Sequence, residues 1–106
     1  MRPETLAGIT AEPTLAGMTD EVLRIPVQYS LGFLRPGPRS VFGSSPRVFG
    51  HPGVGGSFAF ADPDAGLGYA YVMNKLDFYL FDDPREKALR DAVYRALGVA
   101  ARARAA

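Results

Sequence analysis

Residues 57–74 read Ser57-Phe58-Ala59-Phe60-Ala61-Asp62-Pro63-Asp64-Ala65-Gly66-Leu67-Gly68-Tyr69-Ala70-Tyr71-Val72-Met73-Asn74. Small and large residues alternate on both sides of Asp62-Pro63-Asp64-Ala65-Gly66, which is the two-residue period of a strand. Asp at the first position and Pro at the second suit a type I turn. Gly66 then supplies the left-handed residue that a type I turn with a G1 bulge needs. The stretch predicts a β-hairpin whose second strand runs over 68–74. Phe58, Phe60, Tyr69, Tyr71 and Met73 predict a heavily covered sheet face, as core rather than as a binding platform.

Outward from the hairpin, Asp83-Pro84-Arg85-Glu86 predicts a helix start. Asp83 is the expected N-cap, Pro84 sits at N1, and Glu86 at N3 completes a capping box. These roles, with the helix dipole, account for Asp82, Asp83 and Glu86. Ala88, Leu89, Ala92, Val93, Ala96 and Leu97 recur in pairs at four-residue steps and predict a buried stripe. Gly98 is the expected C′ residue. The tail beyond it, with Arg102 and Arg104, is expected in solvent. Toward the N-terminus, Val27 to Phe33 alternates and predicts one strand. Arg35 to Ser40 reads as a turn-rich connection, and Arg47 to Gly50 as a short strand. Pro3 to Ile9 predicts a short helix, and Thr10 to Asp20, with Pro13, a loop. The expected class is α+β: an antiparallel β-sheet with a packed C-terminal helix.

The chain has 106 residues, 47% apolar and 22% charged, with no Cys and one His. This length suits one domain or part of a larger one, burying only ~60–65% of the unfolded surface. Without Cys there is no disulfide scaffold, thiolate metal site or Cys nucleophile. A single His excludes a His-rich metal cage, and no cofactor is expected. Twelve basic residues against 11 acidic ones offer no electrostatic attraction for nucleic acid or an anionic membrane. Ten of the basic residues are Arg, which we read as codon bias before function. No run approaches ~18 apolar residues, and Met1 to Thr10 lacks a signal peptide's apolar core. The expected location is the cytoplasm.

The cluster His51-Pro52-Gly53-Val54-Gly55-Gly56-Ser57-Phe58 is not a phosphate loop. No Lys follows the glycines, and Phe58 stands where GxGxxG needs its third Gly. Taken alone, it reads as a tight turn into a strand, with His51 bonding to backbone. Its order in the chain carries more. A His-x-Gly turn enters a strand, a hairpin and Met73-Asn74-Lys75 follow, and a capped helix comes next. Over residues 29–97 this resembles the C-terminal portion of the serine β-lactamase and penicillin-binding-protein superfamily. Within it, the order is most similar to class C β-lactamase-like carboxylesterases (family VIII esterases).

The resemblance implies roles residue by residue. His51 takes the Lys position of the third active-site motif and faces the cleft. Gly53 lets substrate approach the strand backbone. The Val54 N–H is one oxyanion-hole donor. Pro52, Gly55 and Asn74 fall at substrate-binding positions, although Pro52 replaces a hydroxyl residue and lacks an N–H. Lys would hold a permanent charge for a substrate carboxylate and neutral imidazole does not, which favours neutral esters over lactam acids.

The first two motifs have no counterpart. Three residues before Lys75 and Lys87 stand Val72 and Pro84, so Ser-x-x-Lys is absent. Tyr29-Ser30-Leu31 imitates the tyrosine motif but falls on a strand. Residues 1–106 are therefore expected to be one C-terminal segment of a serine hydrolase domain, acting on a small ester or lactam when completed elsewhere. Apolar surface left open predicts self-association or capture of a complementary piece. The alternatives are a non-catalytic interaction module on the same fold, and an esterase using Ser57 with His51. Asp62 and Asp64 read as turn formers, not as paired catalytic acids.

Overall fold

A computed structural model describes residues 1–12 and 17–101. The loop reading at Pro13 and the solvent reading of Arg102 and Arg104 lie outside the described residues. The order is α1 (Pro3–Thr10), β1 (Gln28–Ser30), β2 (Phe33–Arg35), β3 (Phe49–Pro52), β4 (Phe58–Asp62), β5 (Leu67–Tyr71) and α2 (Pro84–Leu97). The five strands form one antiparallel sheet in sequence order.

The 57–74 stretch folds as its alternation dictates. Phe58, Phe60 and Asp62 pair with Tyr71, Tyr69 and Leu67. Gly66 takes φ +63 in the connecting turn, where its amide donates to the Pro63 carbonyl. The second strand ends at Tyr71, so Val72, Met73 and Asn74 leave the sheet. The single-strand reading of residues 27–33 needs a larger correction, because that segment is a strand, a turn and the start of another strand. Leu31 and Gly32 both have positive φ, +48 and +84, and Ser30 pairs with Phe33. Two left-handed residues match the twist of a two-residue hairpin.

One sheet face is closed by α2 and by residues 40–48. Asp83 caps the helix by accepting from the Arg85 amide at 3.0 Å, and Gly98 ends it at φ +66. The helix does not present its apolar stripe inward. Its buried residues are Glu86, Arg90 and Tyr94, whereas Leu89 and Leu97 are about half exposed. Specific polar contacts set this rotation. The Tyr94 hydroxyl donates to Asp62 Oδ2 at 2.6 Å, and its ring stacks parallel to Phe60. Arg90 lies over the Phe58 ring, 5.5 Å from its centre, and pairs with Asp82 at 3.0 Å. Glu86 does not complete a capping box: its carboxylate turns inward to Arg90 Nε at 3.4 Å.

Asp62 is more than a turn former. It is fully buried and accepts from Tyr94, from the Ser44 amide and hydroxyl, and from the Ala65 amide. Phe42, Val48, Leu34 and Val27 complete the core around Phe58 and Phe60. The opposite sheet face carries His51, Ala59, Ala61, Gly68 and Ala70. It borders an open hollow of about 520 Å³ that Phe33 and Phe49 also line. From β2, next to the edge strand β1, buried Arg35 ties α1 down by donating to the carbonyls of Ile9, Thr10 and Ala11. The turn-rich reading of Arg35–Ser40 therefore holds only beyond Arg35.

Candidate functional site

The residues singled out by the glycine cluster lie together at one end of β3. Pro52 is the last strand residue, opposite Phe58. Gly53 to Ser57 close the hairpin, with the Gly53 amide donating to the Ser57 carbonyl at 2.8 Å. The space beside Gly53 is filled from within the chain: a Cβ there would stand 2.2 Å from Ser57 Oγ. A side chain at this position would have to turn the Ser57 hydroxyl aside, since the next contact, Ser57 Cβ, is at 3.5 Å.

His51 is exposed on the open sheet face, and its Nδ1 lies 2.6 Å from the Pro52 carbonyl. A carbonyl only accepts, so this contact places a proton on Nδ1, and in the neutral tautomer Nε2 is then the acceptor. The Tyr29 ring lies 6.1 Å from the imidazole, centre to centre. Burial, with a smaller effect of Asp20, pushes the Tyr29 hydroxyl up from its ordinary value. Tyr29 is on β1, as expected of a strand residue, and its closeness to His51 is something the linear order does not signal.

Val54 is 92% exposed at the tip of the turn. Among the described residues its amide donates to no protein group, so it is available to an incoming acceptor. Gly55 and Gly56, by contrast, are buried. The Gly55 carbonyl accepts from the Asp77 amide at 3.1 Å, which brings the segment after Asn74 against the turn. Asn74 itself is exposed and has no hydrogen bond among the described residues. Beneath the turn, Arg85 grips Asp83 with two donors, Nε to Oδ1 at 3.0 Å and Nη2 to Oδ2 at 2.7 Å. The Arg85 hydrogen bond holds the Asp83 carboxyl below the usual carboxylate range, and the same bond raises the guanidinium. The local sequence marks Asp83 as a cap and carries no signal for Arg85; only the fold puts both against the glycines.

The arrangement offers a free backbone donor, an exposed imidazole and an open apolar surface. Ser57 makes no hydrogen bond to His51 among the described residues. No group of three His, Asp or Glu side chains there is placed to hold a metal ion. No helix there is long and apolar enough to cross a membrane.

Comparison with known proteins places this geometry. Among solved structures, the crystal structure of a family VIII carboxylesterase matches with 42% identity and a TM-score of 0.73, over 84% of this chain and 23% of that one. The crystal structure of a novel penicillin-binding protein homolog from Caulobacter crescentus matches with 41% identity and a TM-score of 0.77, over 89% of this chain and 25% of that one. The chain thus spans about a quarter of the length of either structure. A search of curated proteins finds no match. A family model described as Beta-lactamase matches residues 4–94, from the first helix through nearly all of the last. With that span matched and with both solved structures superposing at TM-scores of 0.73 and 0.77, the chain belongs to the β-lactamase family.

Proposed function

We propose that this chain is the C-terminal segment of a carboxylesterase-type serine hydrolase and supplies the third motif and the oxyanion strand to a site completed by other polypeptide. The observation that carries the reading is the Val54 amide, exposed and unbonded among the described residues, at the end of the strand that bears His51. Val54 N–H stabilises the developing oxyanion. His51 Nε2 accepts a hydrogen bond from substrate or from the hydroxyl of the tyrosine motif. Gly53 and Gly55 shape the turn, and Pro52 and Asn74 flank the substrate. The nucleophilic Ser and its Lys come from outside these 106 residues, so the chain alone is inactive.

The decisive experiment is an ester-hydrolysis assay on the 106-residue chain, alone and mixed with a family polypeptide carrying Ser-x-x-Lys and the tyrosine motif. Turnover only in the mixture is expected. Turnover by the chain alone would overturn the reading and point to Ser57. A complex without turnover would leave the non-catalytic interaction module.

In the completed enzyme, His51→Lys raises turnover of anionic lactams relative to neutral esters about tenfold, the worth of ~1.4 kcal/mol from one charge-assisted contact. An unchanged ratio removes His51 as the discriminator. Alone, the chain self-associates through the open sheet face and the outer face of α2. A monodisperse monomer with a cooperative melt and no binding of an apolar dye would count against that.

A further inference from the structure

We propose that Arg85 is a positioning residue: together with Asp83 it clasps the glycine turn and thereby sets the direction of the Val54 amide. This rests on the oxyanion role given to Val54 above.

The connection runs through one peptide plane. In a trans peptide the C=O and the N–H point in opposite directions. The Gly53 carbonyl shares its plane with the Val54 N–H and accepts from the Gly56 amide at 3.3 Å. Wherever Gly56 is held, the Val54 N–H is turned the other way, toward solvent.

Gly56 is held by the clasp. Its φ is +113, and a Cβ on it would lie 2.3 Å from Asp83 Oδ2 and 3.4 Å from Arg85 Nη2. The carboxylate–guanidinium pair occupies the volume a side chain would take. From the same guanidinium, Nη1 donates to the Lys75 carbonyl at 2.7 Å and Nη2 reaches the Gly55 carbonyl at 3.5 Å. The clasp therefore joins three separate pieces of chain: the turn, the segment after Asn74, and the start of α2.

Helix stability does not account for Arg85. A cation in the first turn opposes the helix dipole, and Asp83 caps the helix without it. What Arg85 adds is contact at sequence separations of 10 and 30 residues, all of it directed at the turn and its neighbour.

The test uses the full 106-residue chain and needs no activity. Amide hydrogen exchange is followed by NMR in Arg85→Ala, in Gly56→Ala, which pushes the clasp open from the opposite side, and in Lys87→Ala as a control. The Gly56 and Asp77 amides are expected to exchange about tenfold faster or more in the first two variants, while hairpin amides in β4 and β5 move far less. Unchanged rates at Gly56 and Asp77, or acceleration of every amide in step, overturn the clasp. In the completed enzyme, Arg85→Ala then lowers kcat about tenfold or more with KM little changed, and Arg85→Lys, which keeps a donor for Lys75, restores part of it. Faster exchange with unchanged kcat would leave the clasp standing and remove Val54 as the oxyanion donor.

Discussion

The two faces of the sheet are built on different terms. The closed face brings its own cover: Tyr94 and Arg90 from α2, Phe42 and Val48 from the loop before β3. Its central carboxylate, Asp62, has a donor for every direction. The open face carries Ala59, Ala61, Gly68 and Ala70, too small to cover one another, with His51 at one side. A chain can stabilise itself through the first face and still leave the second unfinished. The candidate site lies at the end of β3, where only His51 looks onto the unfinished face and the glycine turn rests against α2.

The largest effect that would test this contrast is at Tyr94. Tyr94→Ala removes a buried ring and the donor to Asp62, and about 4 kcal/mol should be lost in urea denaturation. If Tyr94→Ala costs under ~1 kcal/mol, the closed face is not what holds the chain together. Asp62→Asn should cost a further-reaching but smaller ~1–3 kcal/mol, since a neutral amide cannot accept from all four donors.

The same Asp62 substitution sharpens the contrast through pH. Burial pushes the Asp62 carboxyl up, but its hydrogen bonds from Tyr94, Ser44 and Ala65 together outweigh burial and hold it below the usual value. The unfolded chain then binds the proton more readily, so this stabilisation is present above the unfolded carboxyl range and is lost as pH falls through the folded value. Asp62→Asn should flatten the acid side of a Tm-against-pH curve. Glu86 has the opposite sign. Burial raises its carboxyl despite the pull of Arg90, so the folded chain holds the proton longer and stability declines as pH rises from the unfolded value to the folded one. The stability of Glu86→Gln relative to the parent should therefore improve across that window. A difference independent of pH would show that Glu86 does not titrate between the two states.

The smallest effect belongs to the open face. Ala70→Glu should change the chain's unfolding free energy by under ~0.5 kcal/mol, because Ala70 is exposed on that face. It should still reduce self-association in sedimentation. A large loss of stability would mean that this face is already covered.

Much of this architecture is legible in the residues. The alternation of 57–71 around Asp62-Pro63-Asp64-Ala65-Gly66 specifies the hairpin, and Asp83-Pro84 with Gly98 specifies where α2 begins and ends. These are local rules of turn and cap geometry, satisfied by neighbours in the chain. The order of His51-Pro52-Gly53, hairpin and helix carries the resemblance to the family. Two local readings give way to the fold, each for its own reason. Leu31 is a β-former by composition, yet Gly32 lets the chain reverse there, and the register with β2 rewards the reversal. The apolar stripe of α2 predicts an inward face, yet that face is turned out.

What the sequence determined by itself is the 57–71 hairpin, the two ends of α2 and the family resemblance, because period, caps and turn residues act over a few positions. The tertiary structure alone decided which side of α2 is buried and that Arg85 grips the glycine turn. Both depend on partners 30 or so residues away, Asp62 for Tyr94 and Gly55 for Arg85. A buried carboxylate left without donors costs more than a half-exposed leucine, so Asp62 and Tyr94 set the helix rotation against its own hydrophobic pattern.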